Sequence, residues 1–133
     1  NEIRKNNLAE NLILIDHLPH KEGLLKLSTS QVLLLPLNDA PNVKGILPGK
    51  MYEYLALNRP ILALGPNDAD YAKILRETNA GAPLNFHDKK GIKETINTYF
   101  ESYKQNKLVV QSNSYERYSR KNLAKQLIDL IQD

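Results

Sequence analysis

The chain has 133 residues, enough for one domain around one hydrophobic core. Apolar residues make up 41% and charged residues 25%, the balance of an ordinary globular domain. The net charge of +3 is scattered, so no nucleic-acid partner is expected, and the lack of cysteine excludes disulfides, thiolate metal sites and cysteine nucleophiles.

The longest apolar runs, Leu12–Ile15 and Val32–Leu35, are too short to span a bilayer, and no basic-then-apolar signal segment opens the chain. A cytoplasmic location is the expectation. Asn1–Asn11 reads as a polar, helix-like run feeding a strand. A complete fold rarely starts that way, so natural sequence is expected to precede residue 1.

Asn11–Ile15 is β-biased and is followed by the breaker Pro19. His20–Ser28 suggests a short helix. Gln31–Leu35 is nearly all aliphatic, as expected of a strand covered on both faces. Residues 36–48 form a loop rich in Asn, Asp, Pro and Gly, long enough to have a task. Gly49–Leu57 has helical spacing, with Met51, Tyr54 and Leu55 on one face and Pro48 near its start.

Pro60–Leu64 is a further buried strand closed by Gly65 and Pro66. Asp68–Thr78 reads as a helix capped by Asp68, with Tyr71, Ala72, Ile74 and Leu75 inward. Asn79, Ala80 and Gly81 end it, and Ala82–Phe86 follows as a short strand. Asp88 caps a helix running through Ile92, Ile96, Tyr99, Phe100 and Tyr103. After a polar loop, Ser114 caps a last helix striped with Leu123, Leu127, Leu130 and Ile131, read as core or as an interdomain contact.

Strands alternating with helices predict an α/β fold: a three-layer, Rossmann-like parallel sheet with helices on both faces. Right-handed crossovers place the loops 36–48 and 65–68 along one sheet edge, where ligands bind in such folds. Within the first loop, Pro48 and Gly49 open a helix whose unpaired amides and partial positive charge suit a phosphate. Gly49 lets the backbone approach closely, Lys50 adds a full charge, and Glu53 one turn on can accept hydrogen bonds from two vicinal hydroxyls such as a ribose presents.

The run Gly45-Ile46-Leu47-Pro48-Gly49-Lys50-Met51-Tyr52-Glu53-Tyr54-Leu55-Ala56, followed by Asn58-Arg59-Pro60-Ile61-Leu62-Ala63, resembles the donor-site core of glycosyltransferase family 4, a retaining family of the GT-B fold. The likeness extends back through His17-Leu18-Pro19-His20 and forward through Glu77–Gly81, and so spans Leu12 to Phe86. The resemblance implies the C-terminal, nucleotide-sugar-binding domain of a two-domain enzyme, with an N-terminal domain bearing the acceptor site outside this chain. It implies transfer of a sugar from a nucleotide diphosphate to a glycan or glycolipid hydroxyl, with retention and no obligatory metal or other cofactor. Assembly of polysaccharide or glycolipid at the inner membrane face is the accompanying expectation.

That family pairs two glutamates separated by seven residues. The counterpart of the second, a ribose contact, is Glu53. The counterpart of the first, a sugar contact, is Gly45, which leaves that role to Lys44 or to loop amides. The expected donor-binding residues are thus Gly45, Ile46, Leu47, Pro48, Gly49, Lys50 and Glu53, with His17 added because it follows the expected first strand. No catalytic residue is assigned.

Plainer readings stand beside these. Glu53 and Lys50 also suit a solvated helix face, Gly49 a turn, and Pro48 a helix start. His17, His20 and His87 have no metal-ligand spacing, and Asp39, Asp68 and Asp70 read as caps and turns rather than metal ligands. The alternative function is a degenerate, non-catalytic module that binds a partner or regulates, for which Gly45 is the main argument. A flavodoxin-like receiver is disfavoured, because Asp16-His17-Leu18-Pro19 supplies neither an acidic cluster nor a phosphate loop.

Overall fold

The computed structural model describes residues 2–110 and 115–132. Three strands, β1 (Leu33–Pro36), β2 (Ile61–Leu64) and β3 (Gly81–Leu84), form a parallel sheet in that order. Leu33 pairs with Ile61 and Ile61 with Gly81, so the strands finish level at Pro36, Leu64 and Leu84. The helices are α1 (Glu2–Lys5), α2 (His20–Ser28), α3 (Gly49–Leu57), α4 (Asp70–Glu77), α5 (Lys89–Lys104) and α6 (Arg120–Gln132). Short 3₁₀ turns occupy Ala9–Asn11, Val43–Gly45 and Tyr115–Tyr118. The chain is an α/β domain with a parallel sheet, as the alternation of apolar runs predicts.

The core follows the two periodicities of the sequence. Leu33 and Leu35 of β1 and Ile61 and Ala63 of β2 project to one side of the sheet. Met51, Tyr54 and Leu55 of α3 and Tyr71, Ala72, Ile74 and Leu75 of α4 bury against them. Each large side chain removed from water contributes about 1.5–3 kcal/mol. Leu62 faces the other way and, with Ile96 and Tyr99 of α5, lines a groove of about 330 Å³.

β3 approaches β2 so closely that a Cβ at position 81 would lie 2.0 Å from the Ile61 carbonyl oxygen. Only glycine fits there. Left-handed backbone, by contrast, is supplied by asparagine. Asn7, Asn58, Asn79 and Asn106 have positive φ, and none of the described glycines does. Asn58 and Asn79 follow α3 and α4 and turn the chain into the next strand.

Helix starts are mixed. Asp88 caps α5 as its position predicts, its Oδ1 accepting from the Gly91 N–H at 2.9 Å. Ser119 caps α6 by accepting from the Asn122 N–H at 3.2 Å; Ser114, the expected cap, lies outside the described residues. Asp68 does not cap α4. The helix starts after Ala69 with no side-chain cap, because the Asp68 carboxylate is drawn to Lys44 instead.

Four other expectations are corrected. Asn11–Ile15 forms no strand, and Ile13 is 85% exposed. A strand this short needs a neighbouring ladder for its backbone groups, and no described strand lies beside this run. β1 is not covered on both faces: Leu34, between buried Leu33 and Leu35, is 53% exposed. Pro48 stands just before α3 in extended conformation rather than inside its first turn. Of the two readings of the α6 stripe, core is overturned, since Leu130 is 76% exposed and Leu123, Leu127 and Ile131 are exposed too, while the interdomain reading is unaffected.

Candidate functional site

The loops after β1 and β2 meet at the carboxyl edge of the sheet. Lys44 Nζ of the first reaches Asp68 Oδ2 of the second at 2.6 Å. Both groups face solvent, and the hydrogen bond from Lys44 holds the Asp68 carboxyl below its usual range. The first loop then passes through exposed Gly45, Ile46 and Leu47 to Pro48, whose extended ψ of 130° aims the chain into α3.

At that helix start the Met51 N–H bonds the Pro48 carbonyl at 2.9 Å. The amides of Gly49 and Lys50 precede any intrahelical acceptor and carry the positive end of the helix dipole. Gly49 has no positive φ, and an added Cβ would meet nothing within 4 Å. Neither turn geometry nor packing therefore demands glycine at this position.

Glu53 lies one turn further on, its side chain 41% exposed. Oε1 sits 3.0 Å from His20 Nε2, at the start of α2. Burial raises the pKa of neighbouring Tyr54, and the Glu53 charge adds to that rise.

Gly49, Tyr52 and Glu53 line one side of an open groove of about 730 Å³. Leu24 of α2 lines it as well, and the far wall includes Tyr118 and Arg120. Its character is mostly apolar and aromatic, with a carboxylate and a guanidinium among the lining groups. Tyr118 is fixed from behind: its hydroxyl donates to Glu77 Oε2 at 2.6 Å, and Arg117 lies 3.3 Å from the same oxygen. The 3₁₀ turn Tyr115–Tyr118 thereby becomes a wall of the groove.

Of the residues expected from sequence, Gly49 and Glu53 come together here. Gly45, Ile46, Leu47 and Pro48 form the approach to α3, and Lys50 sits on its exposed first turn; none of these five lines the groove. His17 is exposed in the segment before α2 and makes no hydrogen bond or ion pair among the described residues. Sequence reasoning passed over His20, Tyr118 and Arg120. His20 and Glu53 are 33 positions apart, so no local spacing announces their meeting. Among the described residues no cluster of three or more His, Cys, Asp or Glu side chains could hold a metal ion, and no helix is long and apolar enough to cross a membrane.

No protein-family model matches this chain, and neither any curated protein nor any solved structure does.

Proposed function

We propose that this chain is the nucleotide-sugar-binding domain of a retaining glycosyltransferase of GT-B architecture, acting with an N-terminal domain that carries the acceptor site. The observation that carries the reading is the pairing of Gly49 and Glu53 on one groove. The open amides at the start of α3 suit a diphosphate, and the carboxylate one turn on suits the two hydroxyls of a ribose. The sterically unneeded glycine at position 49 is what close approach of a phosphate to the backbone requires.

In this reading the reaction breaks the bond between the sugar's anomeric carbon and the diphosphate. Negative charge grows on the departing oxygen, and fixed dipoles and cations aimed at it stabilise it, each well-placed donor contributing about 3–4 kcal/mol. Lys50, on the first turn of α3 but outside the groove lining, adds positive charge at the same end of the helix. The acceptor is a glycan or glycolipid hydroxyl, and the setting is the cytoplasmic face of the membrane where such acceptors are assembled.

Calorimetric titration with uridine, adenosine and guanosine diphosphates tests this. At least one binds, and Glu53→Ala weakens it by about 1.5–3 kcal/mol, the contribution of hydrogen bonds to a charged group. Absence of binding by all three defeats the reading.

A second reading, a non-catalytic partner-binding module, draws on the loop before α3. Gly45 offers no side chain where the family places a carboxylate, and Lys44, the nearest cation, is engaged by Asp68. Full-length protein that binds nucleotide but turns over no nucleotide sugar favours that reading.

A further inference from the structure

We propose that His20 is a positioning residue for Glu53, holding the carboxylate in the pose that receives a ribose; the inference rests on the donor-domain reading. Helix α2 packs beside α3, and His20 is its first residue, so the imidazole is placed by a rigid element rather than by a loop. Its Nε2 lies 3.0 Å from Glu53 Oε1. The remaining oxygen, Oε2, has no partner among the described residues.

A glutamate side chain on an exposed helix face has three rotatable torsions and samples several rotamers. A ligand that must collect it from that spread loses affinity to the ordering, and a partner that fixes it beforehand removes the loss. His20 fits that role because it engages only one of the two carboxylate oxygens, so the pair is oriented without being closed to a ligand. Leu24, one turn along α2, lines the same groove as Glu53, which puts the histidine-bearing helix against the space a ligand would fill. His20 is 71% exposed, so its replacement removes the hydrogen bond without opening the core.

The discriminating probe is the sugar of the nucleotide. Wild type, His20→Ala and His20→Gln chains are titrated with uridine, adenosine and guanosine diphosphates and with their 2′,3′-dideoxy counterparts. His20→Ala weakens the ribonucleotide by about three- to tenfold, the loss of one ordering hydrogen bond. It leaves the dideoxynucleotide unchanged, because no diol is present for Glu53 to grip. His20→Gln places an amide N–H near the former Nε2 and restores most of the ribonucleotide affinity. Thermal midpoints of all three chains stay together, showing that the fold is intact.

Equal weakening of ribo- and dideoxynucleotide by His20→Ala overturns the inference, since His20 then acts on something other than the diol. Unchanged binding of both in His20→Ala overturns it too, while the donor-domain reading stands. Failure of the wild-type chain to bind any of the nucleotides removes the reading and the inference together.

Discussion

The Tyr118 hydroxyl donates to Glu77 Oε2 at 2.6 Å, tying the 3₁₀ turn before α6 to the end of α4 across 41 positions of sequence. Arg117 closes on the same carboxylate at 3.3 Å and stacks over the Tyr118 ring, 5.0 Å from its centroid. This anchor fixes one wall of the groove by tertiary contact alone.

Its stability follows pH in a defined direction. The hydrogen bond from Tyr118 lowers the Glu77 pKa, and the charges of Arg117 and Lys73 add to the shift. A carboxylate with a depressed folded pKa stabilises in full above its unfolded value, and the effect disappears as pH falls through the folded value. Wild type is therefore more resistant to urea than Glu77→Gln near neutrality, and the two converge in acid, below the ordinary glutamate range of about 4.3. Urea midpoints measured for both chains across that range check this. A gap that persists unchanged in acid contradicts it.

Gly81→Ala is expected to be severely destabilising. The new methyl group would meet backbone, the Ile61 carbonyl, at 2.0 Å, and backbone paired in the middle of a sheet cannot step aside. Overpacking of this kind costs about 3 kcal/mol or more where no side chain can rotate away. Denaturant unfolding gives the value directly, and a cost under about 1 kcal/mol contradicts the close approach of β3 to β2.

Tyr71→Phe is expected to be neutral or stabilising, by up to about 1 kcal/mol. The ring is fully buried, yet its hydroxyl has no hydrogen-bond partner among the described residues, and that burial pushes the phenol pKa up to about 12. Removing an unsatisfied buried hydroxyl while keeping the ring removes a desolvation cost and leaves the packing intact. A clear loss of thermal stability in Tyr71→Phe shows that the hydroxyl has a partner in solution.

What could be read from sequence divides along local and non-local lines. Met51, Tyr54 and Leu55, and Tyr71, Ala72, Ile74 and Leu75, declare their buried faces through helical spacing, and each face buries as expected. The three strands and the Asp88 cap are legible for the same reason, since each depends on residues within a few positions. Asn11–Ile15 looks like a strand by composition, but a strand exists only where another offers it a ladder. Asp68 looks like a cap until Lys44, 24 positions earlier, takes its carboxylate. The groove shows the same division. Gly49 and Glu53 are four residues apart and recognisable together, whereas Tyr118 and Arg120 reach the groove, and His20 reaches Glu53, through tertiary packing that no local pattern encodes.

The left-handed asparagines bear on a state of the chain that no folded contact describes. Glycine at those positions would relieve strain in the native backbone but widen the choice of conformations open to the denatured chain. Asparagine accepts the same turn with a narrower denatured ensemble, so at Asn58 and Asn79 part of what favours folding is the freedom the unfolded polypeptide never had.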